Sequence, residues 1–437
     1  MREMEKNLLL LCYYFPPAPL AFAQRVAKLS KYLPGETGWI PQVICGELAL
    51  DVPGLDNTLL SELPEIVGIE RVGSYLSSTL ARRLKAWHLQ KPITLWRKLT
   101  VKPDAFGDWI EAAIAAAEKK FPGGKGLKVI LASGPPNSVY VVGARLSQRW
   151  NIPLVIDMRD PWSRDWGKQH WFKSWLNRPT GLMEGKIYQA SSAIITNTPG
   201  NKLDLKRRYP QYCEKIEMIP NGFDPEDLNC QRGPQLRGNG ESNQAIHLLY
   251  LGGIRGRGFE DQFFKVLAEF LREHPEERNL LKIHFVGGTS AQIDALTKHF
   301  GLNDICQAHG IVPADAVGRP LAEADIYVLL LPPGNYGGCV PAKLYYYLAG
   351  GKYVFAMVAE GSAKTILAGL KDLAVIADYR DEKSGKAALA EIIAKARRSN
   401  QTPREDSLPP YALPYDRRNI ARQVAAVLDK VVAETPK

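Results

Sequence analysis

The segment Gly334–Lys352, GNYGGCVPAKLYYYLAGGK, carries the residue types best suited to hold an anion. The apolar run Ile326–Leu331 ahead of it reads as a buried parallel strand. Gly334, Gly337 and Gly338 fill the connecting loop, and Pro341 opens a helix predicted over Ala342–Leu348. The first turn of such a helix presents backbone N–H groups and the positive end of the helix dipole, a ready site for phosphate. Lys343 in that turn adds a point charge suited to a diphosphate, and its small neighbours let a ligand approach the backbone. An ordinary strand-to-helix turn bearing a surface lysine fits the same letters.

A second group, Asp157-Met158-Arg159-Asp160, follows the apolar stretch Leu154–Ile156, where a parallel sheet presents functional side chains. Asp160 there can orient a hydroxyl or act as a weak base, and Arg159 can pair with a carboxylate or phosphate. An internal Asp–Arg pair that fixes the loop is the alternative. Asn221 and Asp224, beside Gly222 and Pro225, read as turn residues. The chain has no Asp-x-Asp, no Gly-x-Ser-x-Gly and no cluster of His, Asp and Glu, so no metal is expected.

The elements that must position these residues alternate regularly. Strands are predicted at Leu8–Tyr14, Gln42–Cys45, Val129–Ala132, Leu154–Ile156 and Ala193–Thr196, then at His247–Tyr250, Lys282–Val286, Ile326–Leu331 and Val354–Met357, with helical patterns between them. That alternation predicts parallel sheets covered on both faces, a doubly wound α/β architecture. A chain of 437 residues exceeds what one core usually supports. The polar, glycine-rich stretch 229–243 is the expected linker between a first domain, 1–228, and a second, 244–405. A proline-rich tail and a final helix near 416–432 follow, expected to cross back to the first domain.

Charge narrows the partners. With 56 basic against 46 acidic residues the formal charge is +10, which favours anionic ligands or surfaces. Between Leu80 and Lys102, Arg82, Arg83, Lys85, Lys91, Arg97, Lys98 and Lys102 are interleaved with Trp87 and Trp96 and no acid. This arm suits an anionic membrane surface, while a solvated helix pair with its tryptophans in the core fits equally; nucleic acid ranks below both. No apolar run reaches the roughly eighteen residues a spanning helix needs. Six scattered cysteines without zinc spacing read as free thiols in a reducing compartment. The expected place is therefore the cytoplasm, with peripheral contact at the inner membrane face carried by the arm.

Several segments together resemble one family. Tyr13-Tyr14-Phe15-Pro16-Pro17 with Ala23-Gln24-Arg25-Val26, then Ser133-Gly134-Pro135-Pro136-Asn137-Ser138, then Asp157–Trp162, are similar to the N-terminal half of retaining GT-B glycosyltransferases of family four. Ile219-Pro220-Asn221-Gly222-Phe223-Asp224 resembles that family's interdomain signature, and Tyr250-Leu251-Gly252-Gly253 its first C-terminal strand. The resemblance implies two Rossmann-like domains facing across a cleft, the nucleoside diphosphate sugar held mainly by the second and a hydroxyl acceptor by the first. It places the donor diphosphate against Gly253, Arg255 or Arg257, and against Pro341, Ala342 and Lys343. No cofactor beyond the donor substrate is implied.

The departures are as informative. Where relatives carry a histidine facing the transferred sugar this chain has Tyr140, a poor base at neutral pH but a competent hydrogen-bond partner. Where they carry a ribose-binding glutamate it has Tyr346, and the companion acid falls at Gly338. The stiff, apolar Pro17–Phe22 replaces a glycine-rich loop. The implied activity is transfer of a sugar to a hydroxyl acceptor, lipid-linked or part of a surface glycan, with retention, using Tyr140, Arg159 and Asp160 on the catalytic side and Tyr346 at the nucleotide. A non-catalytic or atypical GT-B protein that binds nucleotide, glycan or a partner protein is the alternative.

Overall fold

The computed structural model describes residues 6–18, 21–47, 55–74, 103–160, 162, 171–229, 233–238, 244–254, 261–333, 335–399 and 408–435. The basic arm, Leu20, Gly334, Arg255 and Arg257 lie outside the described residues. The chain divides into two compact units, Met1–Asn221 with Arg417–Lys437, and Gly222–Asp416.

In the first unit seven parallel strands are formed by Lys6–Leu11 (β1), Trp39–Gly46 (β2), Gly68–Val72 (β3), Val129–Gly134 (β4), Leu154–Met158 (β5), Ala193–Thr196 (β6) and Ile216–Met218 (β7). Their spatial order is β3-β2-β1-β4-β5-β6-β7. Side chains alternate between faces, so Leu9, Leu11, Ile130 and Ile156 enter one apolar cluster while Leu8, Leu10, Leu131 and Val155 enter another. A sheet wet on neither face needs continuous apolar strands, which is why β1 and β4 read so clearly. The second cluster is closed by Ile420, Val424 and Leu428 of the last helix, Arg417–Glu434, beside Val26, Leu29 and Leu33 of the helix Ala21–Thr37. Each leucine buried this way contributes roughly 1.5–3 kcal/mol.

The second unit repeats the plan with Ile246–Leu251 (β8), Leu281–Val286 (β9), Cys306–Ala308 (β10), Ile326–Leu331 (β11), Tyr353–Val358 (β12) and Ala374–Asp378 (β13), ordered β10-β9-β8-β11-β12-β13 and again parallel. Each sheet therefore reverses its winding once, between β1 and β4 and between β8 and β11. Such switch points leave a crevice at the carboxyl ends of the strands. At the second one the strands separate early: β8 and β11 pair only at Leu248 with Ile326 and Leu249 with Tyr327. Tyr347 fills the gap, its hydroxyl accepting from the backbone N–H of Leu251 at 2.9 Å and donating to the carbonyl of Val328 at 3.1 Å.

Differences from the expected elements have local causes. The first strand ends at Leu11, and Tyr13 instead packs on Phe106 and Trp109 with its hydroxyl 2.8 Å from Ser74 Oγ. The unexpected strands β3, β7, β10 and β13 are short or lie at sheet edges, and β3 carries Glu70 and Arg71. The polar stretch expected as a linker falls inside the second unit. Its residues Leu236 and Arg237 donate their backbone N–H groups to one oxygen of Glu323, and Arg237 also meets Asp325 at 2.6 Å. Polarity there serves attachment. The units divide at Gly222 and Arg417 because Phe223 pairs with Asp416 and bonds to the carbonyl of Tyr415, joining the two ends of the second unit. Among the described residues no helix is long and apolar enough to cross a membrane.

Candidate functional site

At the switch point of the second sheet, Gly252 and Gly253 follow β8 and Gly287 and Gly288 follow β9. The two loops touch backbone to backbone: a Cβ on Gly287 would lie 3.0 Å from Gly252 Cα and 3.1 Å from its nitrogen. Gly252 and Gly287 have φ of +96° and +109°, values that glycine tolerates and side chains resist. The open face of Gly252 is turned to Lys343, whose Nζ would be 3.4 Å from a Cβ placed there. Lys343 Nζ sits 3.5 Å from the centre of the Tyr250 ring, which holds the cation over an aromatic face at the end of β8. Gly253 is exposed, and Pro341, Ala342 and Lys343 are half-buried.

Lys343 belongs to the first turn of the helix Ala342–Gly350, which runs two residues beyond the predicted end at Leu348. Pro341 precedes it in extended conformation and supplies no side-chain cap of its own. The matching helix of the first unit, Ser138–Trp150, is already occupied: Asp104 accepts from the backbone N–H of Ser138 at 2.9 Å and from its hydroxyl at 2.6 Å. A carboxylate at a helix N-terminus uses the same N–H groups and dipole that a phosphate would.

The three tyrosines of this helix have separate tasks. Tyr345 is buried against Tyr415, ring centres 5.1 Å apart, and Tyr347 stacks on Tyr327 at 4.6 Å. Tyr346 is half-buried and donates its hydroxyl to Asp227 Oδ2 at 2.7 Å. A carboxylate is thus present beside Tyr346, supplied by the short helix Pro225–Asn229. Sequence reasoning missed it because 119 residues separate the two. Replacing Tyr346 with phenylalanine is expected to remove a charge-assisted bond and to lower local stability by about 1.5–3 kcal/mol. Faster hydrogen exchange through the helix Ala342–Gly350 is the readout; unchanged exchange would mean that the bond contributes nothing.

The catalytic-side residues of the first unit require correction. Tyr140 is 1% exposed and donates its hydroxyl to the carbonyl of Asp157, and burial pushes its pKa far above the ordinary phenol range. Tyr140 therefore packs within the apolar cluster of the first unit, beside Ile130 and Ile156. Arg159 is also buried, its Nε on the carbonyl of Gly134 at 2.7 Å and its Nη1 on the carbonyl of Phe22 at 2.8 Å, with the guanidinium over the Phe22 ring. It ties the β4, β5 and first-helix segments together instead of presenting charge. Burial lowers its pKa, and Asp157 opposes that shift. Asp160 alone stays exposed, and the protein mass around it raises its pKa against the pull of Arg159.

The internal ion pair does exist, with a different arginine. Arg25 meets Asp157 through two parallel bonds of 3.0 Å, both groups being essentially inaccessible. Arg25 also donates to the carbonyl of Pro220 at 2.6 Å and to Asn221 Oδ1 at 3.2 Å, and Ser133 Oγ donates to Asp157 at 2.7 Å. Asn221 is therefore held at the end of the first unit, and Asp224 turns the chain by accepting from the backbone N–H of Glu226. Among the described residues no group of three or more His, Cys, Asp or Glu could hold a metal ion.

The two sheets, each wound in Rossmann order, define the fold class as GT-B. Solved structures align over nearly the whole chain: sucrose-phosphate synthase from Thermosynechococcus elongatus has a TM-score of 0.63 and 16% identity, covering 98% of this chain and 99% of its own. Anabaena Alr3699/HepE in complex with UDP and glucose has a TM-score of 0.55 and 14% identity, covering 97% and 100%. Identities this low speak for the fold alone. Within that class, residues 125–227 match the family model described as Glycosyltransferase Family 4, a span that includes the Ser133–Ser138, Asp157–Trp162 and Ile219–Asp224 segments. Among curated relatives, the D-inositol 3-phosphate glycosyltransferases of Kineococcus radiotolerans and Geodermatophilus obscurus are 24% and 23% identical, over 42% and 48% of this chain. The chain likewise spans less than half the length of those relatives, 42% and 48%.

Proposed function

We propose that this protein is a glycosyltransferase that moves a sugar from a nucleoside diphosphate donor to a hydroxyl acceptor, with retention at the anomeric carbon. The observation that carries the reading is the convergence, at the switch point of the second sheet, of Lys343, a helix start and two touching glycine loops. Those groups are suited to a diphosphate, and as the sugar leaves they would stabilise the charge developing on the leaving group. Arg255 and Arg257, which follow Gly253 in the sequence, complete the proposed donor set. Uridine is the base of choice for a first trial, because the Anabaena neighbour was solved with UDP and with UDP-glucose.

On the acceptor side the reading rests on Asp160, the exposed carboxylate beyond β5, as the group that orients the hydroxyl. Its raised pKa makes it a better proton acceptor than an ordinary aspartate. The leaving diphosphate itself is the stronger candidate to receive the acceptor's proton, since Tyr140 is internal. The basic arm 80–102 supports an acceptor presented at an anionic surface in the cytoplasm.

The test is calorimetric titration with UDP of the full chain and of Lys343→Ala. Loss of one charge-assisted contact to phosphate is expected to weaken binding about 10- to 100-fold, the equivalent of roughly 1.5–3 kcal/mol. Equal affinity for both proteins would remove the donor from this crevice. Incubation of UDP-sugars with a hydroxyl acceptor panel then separates the two functions: binding without turnover favours a non-catalytic GT-B protein.

A further inference from the structure

Three of the chain's seven histidines form a continuous line through the second unit, away from the donor crevice. His247 Nδ1 is 3.0 Å from His284 Nε2, and His284 Nδ1 is 3.0 Å from His309 Nε2. The rings lie 5.2 Å apart at each step, stacked for the first pair and tilted for the second. His247 stands on β8 and is inaccessible, His284 stands on β9 and is 3% exposed, and His309 follows β10 and is half-buried. The line therefore runs from the surface inward across neighbouring strands. A recess lined by Gln235, Arg237, Lys282, His284, Asp304 and Gln307 opens beside it.

Proton counting defines what such a line can do. Two ring-to-ring bonds need one hydrogen each. Three neutral imidazoles carry three hydrogens, so the third rests on an outer nitrogen, either His309 Nδ1 or His247 Nε2. One added proton fills both outer nitrogens and breaks neither bond. A second would force two hydrogens into one nitrogen-to-nitrogen gap.

The charges around the line decide what that proton does. Lys282 on β9 and Arg237 on the 233–238 segment are cationic; Arg237 is held by Asp325 Oδ2, which also accepts from the backbone N–H of His247 at 2.9 Å. Glu323 binds the same segment through the N–H groups of Leu236 and Arg237 and is itself paired with Arg319. Asp315 lies in the turn Ala314–Ala316 that leads to the helix Gly318–Glu323, and Asp304, near β10, is committed to Arg278. Burial above all, then His247, His309, Lys282 and Arg237, hold the His284 pKa down to about 3. Coupling is reciprocal: if Arg237 disfavours the proton, the proton disfavours Arg237.

We propose that His247, His284 and His309 form a single proton-binding ladder, loaded from the His309 end, whose one added proton weakens the Arg237–Asp325 tie and loosens the 233–238 segment. The device is acid-sensitive: the segment is tied at neutral pH and freed as the ladder charges. Its proton comes from solvent, and the charge moves inward by exchange along the two nitrogen-to-nitrogen bonds.

Long-range ¹H–¹⁵N spectra of the full chain labelled at histidine, recorded from pH 7.5 down to 4, test this directly. The three rings are expected to shift with one midpoint that accounts for one proton in total. Amide exchange at Leu236 and Arg237, corrected for its intrinsic pH dependence, is expected to quicken about five- to tenfold across the same midpoint. In His284→Leu the outer rings should titrate separately and the exchange should lose its link to pH; His309→Gln, altered at the half-buried end where the proton enters, should abolish the same link if the first variant does not fold. Three separate midpoints, more than one proton taken up, none taken up by pH 4, or unchanged exchange across the midpoint would each overturn the proposal.

Discussion

Arg25→Leu is expected to lower the unfolding free energy of the first unit by about 3–5 kcal/mol, the usual cost of removing one partner from a buried ion pair. Leucine matches part of the volume but leaves the Asp157 carboxylate inaccessible, with Ser133 as its remaining side-chain donor. The carbonyl of Pro220 and Asn221 Oδ1 lose a donor in the same step. Tryptophan fluorescence in urea isolates the effect, because all nine tryptophans lie between Trp39 and Trp175, within the first unit.

The pH dependence gives the cause away. Burial pushes the Asp157 carboxyl up, but the charges of Arg25 and Arg159 and the bonds from Arg25 and Ser133 outweigh it and hold its pKa below the ordinary range. A depressed carboxyl contributes stability that is complete above its unfolded value, near 3.9, and is lost as pH falls through its folded value. Without Arg25 the burial effect dominates and the folded carboxyl prefers its proton. The gap between wild type and variant should therefore shrink on acidification from pH 7 toward 4. A gap of constant size would point to lost packing, and Asp157→Asn in the Arg25→Leu background should recover part of the loss.

The second large effect is expected from Gly287→Ala, at about 2–6 kcal/mol. Its φ of +109° strains a side-chain residue by about 1–3 kcal/mol. The new methyl would also stand 3.0 Å from Gly252 Cα, against backbone that cannot swing aside, and overpacking of that kind costs a further 1–3 kcal/mol or so. Relief would come by moving Gly252 and Gly253 relative to Lys343, so UDP affinity should fall together with stability. Gly301→Ala is the control: its φ is +66° and nothing lies near the added methyl, so strain acts alone and UDP binding should hold. Hydrogen exchange across β8 and β9, read beside calorimetry, separates the two consequences.

Much of this arrangement was legible in the chain. Ile326–Leu331 and Ala193–Thr196 are strands over the predicted residues, because a strand buried on both faces must be apolar throughout and announces itself. Lys343 was legible for a similar reason: proline, a small residue and lysine after a glycine loop state a helix start without help from the rest of the fold. Arg159 and Tyr140 were not. Arg159's position after a strand and Tyr140's match to the relatives' histidine suggested access to a ligand, and only packing reveals that the first is spent on two carbonyl groups and the second on the carbonyl of Asp157.

By itself, then, the sequence determined the alternation of strand and helix, the parallel sheets and the glycine-rich helix start, all of which depend on periodicity and on backbone preferences within a few residues. Tertiary structure decided which charges remain available. Arg25 and Asp157 are 132 residues apart, Tyr346 and Asp227 are 119 apart, and the histidine line crosses three neighbouring strands. An ionic or hydrogen-bonding group is committed or open according to what folding brings within about 3 Å of it, and no local pattern encodes a partner that distant.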